Sequence, residues 1–491
     1  MHARILSLLA LTAVVVVAQE DTVVTKVGTV VGTVSDRARA FRGVPFAQPP
    51  QRWQSPVPVT PFGTLKTQED KPGCWQNCEL PTGTCPPTMS EDCLYLNVFT
   101  PRKAHLSEPV PVMVFIHGGN FKQGYAGGQL YDGTTLSNRT SVITVVIQYR
   151  LGSLGYLYNG AGAMGNYGMQ DQVLALQWVA ENIAAFGGDT SRITLFGQSA
   201  GAMSTAALMS SPAGKGLFNH AIMESEPFGL PFRTPDTWKA FASAFTKDAG
   251  CTDGDDSCLL ALSAEDIIAA QVKSEKDLLA SITHLLEVFL PWTPTAETNL
   301  LPYQPWQAFV QGATHDVPII IGTVENEGWE FIYEAFAGNK TLSSLELDVM
   351  MDFVFGLGHD ADIKKQYPPV SGDNRPVASK IATDALFVCA SRNATLAGPV
   401  ANKSPVWLYH FNHIMSFSKA VWGPQFAFCD DKVCHAEELV FVFGGQNATM
   451  GVVFDADEVV LSDSMQTYWS TFAYTGNPNP ASKPAGLLEW P

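Results

Sequence analysis

Short, nearly continuous apolar segments recur along the chain, and they predict the strands of a sheet that is buried on both faces. These segments are Val110–Ile116, Val142–Tyr149, Ile193–Phe196, His220–Ser225, Val317–Thr323 and Val406–Phe411. A strand with one solvent-exposed face alternates apolar and polar residues, whereas a strand covered on both faces does not. The pattern therefore favours parallel strands with helices on either side.

The segment between the second and third of these runs has the period of a helix. Within Asp171–Phe186 apolar residues recur at helical spacing, and Gly187-Gly188 supplies a stop signal. Strands that alternate with helices indicate an α/β fold with a mostly parallel sheet. The earlier segment Thr22–Arg42 has short alternating runs that are typical of antiparallel strands, so we expect a mixed sheet.

Length and composition indicate a large globular protein. The chain has 491 residues, of which 46% are hydrophobic and only 16% charged, and no repeat or linker divides it. We expect residues 19–491 to form a single α/β domain, although this length also allows two. The formal net charge is −17, so the surface repels nucleic acid and acidic lipid headgroups, and we expect no nucleic-acid partner.

The first 18 residues have the pattern of a secretory signal peptide. Arg4 is followed by an apolar run from Ile5 to Ala18 with small residues at the predicted cleavage site. Because a membrane span needs about 20 apolar residues, we expect a secreted, extracellular protein without a membrane anchor.

Cysteines and glycosylation sequons fit the same compartment. The chain has nine cysteines, which are expected to pair where they can in an oxidising environment. Their spacing disfavours zinc, since no CxxC pairs or nearby histidines accompany them. Four N-x-[ST] sequons are predicted glycosylation sites, and a fifth at Asn402 is disfavoured by Pro405. The four sites are Asn138, Asn339, Asn393 and Asn447.

The strongest local motif is Gly197-Gln198-Ser199-Ala200-Gly201, which follows a predicted strand and precedes a helix-compatible stretch. A G-x-S-x-G sequence in this context is typical of a nucleophile elbow, a sharp turn that exposes the serine hydroxyl. The positive end of the following helix favours negative charge that develops beside the serine. Ser199 is therefore the candidate nucleophile.

A second motif, His117-Gly118-Gly119, follows the predicted strand that ends at Ile116. Adjacent glycines leave backbone N–H groups unhindered, so they can point at an oxyanion. Gly118, Gly119 and Ala200 are the candidate donors.

A serine nucleophile needs a base, and the base needs an acid that orients it. The histidines after Ser199 are His220, His284, His315, His359, His410, His413 and His435. His435 stands in a polar loop, whereas His410 and His413 lie in an aromatic, strand-like run that favours structural roles. Past the strand that ends near Thr323, three carboxylates compete for the role of the acid, and spacing does not choose among them. They are Glu325, Glu327 and Glu330.

Ordered matches over nearly the whole chain resemble the type B carboxylesterase and cholinesterase-like family of α/β-hydrolases. They include Phe41–Pro50, Ser90–Asn97, His117–Gly119, Asn166–Gln172, Phe186–Asp189, Gly197–Gly201, Asn326–Gly328, His435–Leu439 and Thr475–Pro478. The resemblance implies an α/β-hydrolase fold, with a large, mostly parallel mixed sheet flanked by helices and helical insertions over the active site. Minor departures occur at Asn120, Glu226 and Asn326.

The resemblance also implies residue roles. It selects Glu327 as the acid and His435 as the base, with Gly118, Gly119 and Ala200 as the oxyanion hole. It implies ion pairs of Arg52 with Glu91 and of Arg150 with Asp171, and it places Pro227–Arg233 on the acyl side. The implied disulfides are Cys74–Cys93, Cys251–Cys258 and a nested Cys78–Cys85, while Cys389, Cys429 and Cys434 stay unassigned.

The implied function is that of a serine esterase that hydrolyses uncharged carboxylic esters through an acyl-enzyme, with an ester and water as partners. No metal or organic cofactor is expected, because covalent catalysis of this kind needs none. Gln198 stands where cholinesterases have a glutamate, which disfavours choline esters. A lipase is the first alternative, but the 18 residues between Cys74 and Cys93 are too rich in proline and glycine for a lid helix. A binding-only adhesion protein is the second, disfavoured because all three catalytic side chains are present.

Overall fold

The computed structural model describes residues 21–81, 83–102, 108–278, 286–336, 341–356, 360–401, 403–446 and 451–491. The predicted signal peptide lies outside these residues, as do His284, His359, Asn339 and Asn447. Asn138 and Asn393, two of the predicted glycosylation sites, are exposed. Among the described residues, we find no helix whose length and hydropathy would let it cross a bilayer.

The strands of the described residues are numbered here in chain order. They are β1 (Thr22–Val24), β2 (Thr29–Val31), β3 (Thr33–Val34), β4 (Ala38–Pro45), β5 (Thr64–Lys66), β6 (Gly73–Cys74), β7 (Met89–Ser90), β8 (Tyr95–Pro101), β9 (Val110–Ile116), β10 (Ile143–Ile147), β11 (Gly188–Gln198), β12 (His220–Glu224), β13 (Ile319–Val324) and β14 (Val406–Phe411).

Nine of these strands form one large sheet in the order β14-β13-β12-β11-β9-β10-β8-β4-β3. The six strands from β14 to β10 run parallel to one another. The pairings of β10 with β8, β8 with β4 and β4 with β3 are antiparallel. The mostly parallel, mixed sheet that the sequence predicts is therefore confirmed.

Helices pack against the sheet. They are α1 (Thr134–Thr140), α2 (Gly152–Tyr156), α3 (Tyr167–Asn182), α4 (Ala200–Ser210), α5 (Pro235–Asp248), α6 (Asp256–Ala261), α7 (Ala264–Leu278), α8 (Leu286–Phe289), α9 (Pro305–Gln311), α10 (Glu327–Ala335), α11 (Ser344–Phe355), α12 (Asp360–Gln366), α13 (Arg375–Ala382), α14 (Cys389–Ala401), α15 (Ser418–Trp422), α16 (Leu439–Phe443) and α17 (Ala456–Thr475). The predicted helix 171–186 corresponds to α3, which begins four residues earlier, at Tyr167, and ends in a 3₁₀ turn over Ile183–Phe186.

Strand β9 shows why the predicted strands lack alternation. Val112, Val114 and Ile116 belong to one buried apolar cluster, while Met113 and Phe115 belong to another on the opposite face. Burial of such a side chain contributes about 1.5–3 kcal/mol, so both faces of the strand drive folding and no polar position remains.

The three disulfides that the resemblance implies are present, and Cys429–Cys434 forms a fourth. Cys389 is left as an exposed thiol. Both implied ion pairs are also formed, each with an N–O distance of 2.7 Å, between Arg52 and Glu91 and between Arg150 and Asp171. No helix forms among the described residues between Cys74 and Cys93, in agreement with the prediction from their proline and glycine content.

Candidate active site

Ser199 lies on the sharp turn between β11 and α4. Its backbone has φ 57° and ψ −122°, a conformation that L-residues rarely adopt, and it caps the N-terminus of α4. The flanking glycines are required by close packing, since a Cβ at Gly201 would lie 1.9 Å from the carbonyl oxygen of Ile116. The motif is therefore a strained strand–turn–helix that presents its serine at the carboxyl edge of the sheet.

The glycines that follow β9 lie directly against this serine. A Cβ at Gly118 would be 3.0 Å from the Cβ of Ser199, so only glycine lets the two segments approach this closely. The N–H groups of Gly118 and Gly119 donate to no described residue. Ala200 is the first residue of α4, where a backbone N–H has no acceptor within its helix. Three backbone donors are thus free beside the serine.

His435 and Glu327 form a buried hydrogen-bonded pair. Nδ1 of His435 lies 2.5 Å from Oε2 of Glu327, and the glutamate is fully buried. The other oxygen, Oε1, accepts a hydrogen bond of 2.8 Å from the backbone N–H of Val324. With the carboxylate as acceptor, Nδ1 carries the proton of the neutral imidazole, and Nε2 is left with a lone pair.

Two further contacts position this pair. The loop that precedes His435 pairs with the turn after β13, because Asn326 and Val433 exchange two hydrogen bonds of 3.0 Å. The imidazole packs edge-on against Phe331 and Phe387, with ring centroids 5.1 and 5.4 Å away. The acid and the base are therefore held together from segments about 100 residues apart in the chain.

Ser199 and His435 border the same cleft, but they do not bond to each other in this conformation. The Oγ of Ser199 has no hydrogen-bond partner among the described residues. Instead, Nε2 of His435 lies 2.9 Å from the side-chain amide of Gln198. Nε2 can accept a proton from the hydroxyl only after the Gln198 side chain has moved away from it. This contact was not predicted from the sequence, where Gln198 was considered only for its lack of charge.

The other candidates for acid and base lie elsewhere. Glu325 is exposed and bonds to His410 at 2.7 Å, and His413 lies 3.3 Å from Glu458. Glu330 borders the cleft but makes no hydrogen bond to His435. Away from the cleft, His315 contacts the carbonyl of Ser211 and His220 packs on Phe472.

Buried carboxyl groups lie behind the pair, and sequence reasoning missed them. Glu224, at the end of β12, accepts a hydrogen bond from the indole of Trp469, and burial raises its pKa to about 8. Burial and the nearby Glu224 and Glu327 raise the pKa of Glu438 well above its ordinary value. A signal was available, because a glutamate within an apolar strand is unusual.

We expect Glu224→Gln to reduce the pH dependence of stability. The folded pKa of about 8 exceeds the ordinary value of 4.5, so the folded state holds a proton that the unfolded state releases between these values. The contribution of the Glu224 carboxyl to the free energy of unfolding is thus fully present below about pH 4.5 and is lost as the pH rises toward 8. The amide keeps the acceptor for Trp469 and cannot ionise.

The variant should therefore melt a few degrees above wild type at alkaline pH and close to it at acidic pH. Melting temperatures by differential scanning fluorimetry across this range test the expectation, with Glu181→Gln, an exposed residue, as control. Glu438 and Tyr409 also face Glu224 and are unchanged in both variants. If the melting temperatures of wild type and of the Glu224→Gln variant change with pH in the same way, the expectation is contradicted.

Two chambers meet at Ser199. The larger, about 1020 Å³ including its open mouth, is bordered by His435 and by Leu80, Pro81 and Thr84 of the first disulfide loop. The smaller, about 320 Å³, is lined mostly by apolar side chains and not by His435. Its walls include Met203, Pro227, Leu230, Phe289, Leu386 and Phe387.

The fold and this arrangement define the class of the protein. A serine at a strained β–α turn, a histidine–glutamate pair after later strands and a large, mostly parallel sheet are those of an α/β-hydrolase. The order along the chain, serine, then acid, then histidine, is also that of this class.

Comparison with known proteins identifies the family: the chain belongs to the carboxylesterase family, whose model matches residues 19–491. It is 40% identical over 93% of its length to the cAMP-regulated D2 protein of Dictyostelium discoideum, of which 84% is covered. It is 34% identical over 96% of its length to the para-nitrobenzyl esterase of Bacillus subtilis (strain 168), of which 92% is covered. A solved para-nitrobenzyl (PNB) esterase structure superposes with a TM-score of 0.81 at 32% identity, covering 96% of this chain and 93% of that one. The protein is a serine carboxylic ester hydrolase, and its family acts on small esters with water.

Proposed function

We propose that Ser199, His435 and Glu327 hydrolyse carboxylic esters by two-step acyl transfer. The observation that carries the proposal is the 2.5 Å contact between His435 and a fully buried Glu327 at a cleft that also exposes Ser199. The carboxylate fixes the tautomer in which Nε2 is free to accept a proton.

In the first step, Nε2 of His435 takes the proton of Ser199 as Oγ attacks the ester carbonyl. The N–H groups of Gly118, Gly119 and Ala200 stabilise the oxyanion, each by an amount on the order of 3 kcal/mol. The imidazolium then protonates the leaving alcohol as the C–O bond breaks. In the second step, His435 takes a proton from water as the water oxygen attacks the acyl carbonyl. The imidazolium then gives that proton to Oγ of Ser199 as the acyl C–O bond breaks, which releases the acid and restores the free serine and the neutral histidine.

The proposed role of His435 supports an assignment of the two chambers to the two halves of the ester. Because His435 protonates the leaving alcohol, the alcohol lies on its side, in the larger chamber that it borders. The acyl group then enters the smaller apolar chamber, which Pro227 and Leu230 help to line. This assignment agrees with the acyl side that the resemblance implies for Pro227–Arg233.

We also propose that the enzyme acts outside the cell. Four disulfides support this location, because disulfides persist in oxidising compartments and are rare in the cytosol. The predicted signal peptide and the predicted glycosylation of Asn138 and Asn393 are consistent with export.

A series of p-nitrophenyl esters from acetate to dodecanoate tests the proposed function. Because the acyl chamber is only about 320 Å³ and walled by Phe289, Leu386 and Phe387, kcat/KM should be highest for short acyl chains. It should fall by about tenfold or more for dodecanoate, since overpacking costs about 1–3 kcal/mol. Leu386→Ala should move the optimum to longer chains.

Leu260→Ala, an exposed leucine on α6, is the matched control and should leave the profile unchanged. No turnover of any ester would contradict ester hydrolysis by this site. A preference for dodecanoate would instead favour the lipase alternative and contradict the assignment of the small chamber.

A further inference from the structure

Asn120 is a polar residue of the cleft that the proposed mechanism does not use. It directly follows Gly118 and Gly119, at one of the positions where the chain departs from the family pattern. Among the described residues, three border both chambers, namely Ser199, Phe331 and Asn120. The proposed attack on the ester carbonyl takes place where the chambers meet, so Asn120 lies beside the reacting centre.

A tight turn fixes the backbone of Asn120. The carbonyl oxygen of Gly119 accepts hydrogen bonds of 3.0 Å from the N–H groups of Lys122 and Gln123. Asn120 and Phe121, which this turn encloses, have φ angles of 54° and 56°. Non-glycine residues rarely adopt this left-handed conformation, although asparagine tolerates it. Glycine would satisfy the turn with less strain, so the backbone alone does not explain a side chain at position 120.

Phe121 anchors this turn in the core. Its side chain is fully buried and packs edge-on against Tyr156 and Phe232, with ring centroids 5.2 and 5.8 Å away. Its carbonyl oxygen accepts a hydrogen bond of 2.8 Å from the N–H of Gly152. The backbone of Asn120 is therefore held in place before any ligand binds, which reduces the entropy lost on binding.

The carboxamide of Asn120 makes no hydrogen bond to any described residue. Two other amide side chains that border the larger chamber are used within the protein. Gln198 contacts Nε2 of His435 at 2.9 Å, and the side-chain oxygen of Gln123 accepts a hydrogen bond of 2.8 Å from the N–H of Glu79. The NH₂ donor and the carbonyl acceptor of Asn120 are thus both available to a ligand.

Asn120 is also a polar exception in the smaller chamber, to which the acyl group is assigned. Among the described residues that line this chamber, Ser199 and Asn120 are the polar ones, and none is charged. Apolar pockets commonly use a few placed polar groups to orient a ligand and to select it. An unused carboxamide at the entrance of this chamber therefore matches a hydrogen-bonding group close to the ester carbonyl.

We propose that Asn120 selects esters whose acyl part has a hydroxyl group on the carbon next to the carbonyl, that is, 2-hydroxyacyl esters. Oγ of Ser199 bonds to the carbonyl carbon, so a substituent one carbon further lies near the junction that Asn120 borders. The carboxamide can donate to such a hydroxyl and accept from it. The inference rests on the proposed function, because the acyl side is assigned from the role of His435.

Two other substituents fit this position less well. A methyl group in place of the hydroxyl would cover the carboxamide without pairing it, and an unpaired polar group that loses its water is costly. A 2-ammonium group would lack a counter-charge, since none of the described residues that line the smaller chamber is a carboxylate. The hydroxyl is the uncharged substituent that pairs both groups of the amide.

The test compares two ethyl esters of nearly equal shape. They are ethyl 2-hydroxypropanoate, measured as each enantiomer, and ethyl 2-methylpropanoate, in which a methyl group replaces the hydroxyl. Each kcat/KM, measured from acid release in a pH-stat, is divided by the rate constant for hydroxide-catalysed hydrolysis of the same ester, which removes the difference in intrinsic reactivity. Wild type should prefer one enantiomer of the hydroxy ester over the methyl ester by about tenfold.

Asn120→Gly should remove this preference, lowering the ratio of the two normalised constants by about tenfold. Glycine adopts the left-handed conformation without strain, so the turn is retained. Because the two esters have nearly equal volumes, the space left by the side chain affects both alike. Asn77→Gly is the matched control and should keep the wild-type ratio, because Asn77 is exposed and borders neither chamber.

If the Asn120→Gly variant does not fold, inhibition of wild type decides instead. The inhibitors are N-ethyl-2-hydroxypropanamide and N-ethyl-2-methylpropanamide, the amides that correspond to the two esters. The preferred enantiomer of the hydroxy amide should inhibit hydrolysis of p-nitrophenyl acetate about fivefold or more strongly than the methyl amide. Equal inhibition by the two amides would overturn the inference.

The remaining outcomes separate this inference from the proposed function. Wild type without a preference for either enantiomer, or an Asn120→Gly variant with the wild-type ratio, would overturn the role of Asn120 and leave the esterase intact. An equal loss of activity toward both esters in this variant would also overturn it, because the amide would then act on the carbonyl that they share. Hydrolysis of p-nitrophenyl acetate but of neither ethyl ester would overturn it as well. Wild type that hydrolyses none of the three esters would overturn the proposed function itself.

Discussion

Replacing Ser199 by alanine should lower kcat for p-nitrophenyl acetate by about 10⁴-fold or more. The substitution removes the only atom that forms the acyl-enzyme, while the N–H groups of the oxyanion hole stay in place. Residual activity above background would come from those donors alone. Rates are measured by p-nitrophenolate release, with active-site labelling by a fluorophosphonate as a second readout.

Ser464→Ala is a matched control, because that serine lies on α17 and bonds only to the carbonyl of Val460. It should be labelled and active like wild type. An active and labelled Ser199→Ala variant would show that another residue is the nucleophile, and the proposed mechanism would be wrong.

Replacing Glu327 by glutamine should lower kcat by about 10³–10⁴-fold. The backbone N–H of Val324 bonds to Oε1 of Glu327, so the amide oxygen of the glutamine takes that position. Its NH₂ group then faces Nδ1 of His435. A donor at this position favours the tautomer in which Nε2 carries the proton, and that nitrogen no longer accepts the proton of Ser199.

Glu325→Gln provides the matched comparison. Glu325 is two residues away, is exposed and bonds to His410. The kcat of the Glu325→Gln variant should remain within about twofold of the wild-type value, as expected for surface substitutions. Equal losses in the two variants would exclude Glu327 as the orienting acid and indicate a general effect of charge on this turn.

The sequence predicted the sheet well because burial on both faces leaves a direct mark. The run Val110–Ile116 coincides with β9, and Val406–Phe411 coincides with β14. Strand β11 is longer than its apolar core Ile193–Phe196, since it begins at Gly188 in a polar stretch. Backbone pairing extends a strand beyond the residues whose side chains are buried, and hydropathy does not report that extension.

The candidate site was predictable only in part from local pattern. The motifs around Ser199 and Gly118 are continuous in sequence, so their chemistry could be read directly. The acid could not be chosen by spacing among Glu325, Glu327 and Glu330, and it took the family resemblance to select Glu327.

Contacts between distant segments were the features that the sequence did not show. The hydrogen bond from Gln198 to His435 depends on how loops from distant parts of the chain cross above the sheet. No periodicity in the sequence encodes such crossings. The pairing of Cys429 with Cys434 was open for another reason, since three cysteines were available for one bond.

The Cys429–Cys434 disulfide ends one residue before His435, the proposed base. None of the nine strands of the main sheet contains a cysteine of this pair, so the strand pairing does not include this bond. The segment that carries the base acquires its covalent brace only on oxidation. In a reducing compartment the segment would lose this covalent brace and would be held by the Asn326–Val433 hydrogen bonds and by the contact of His435 with Glu327.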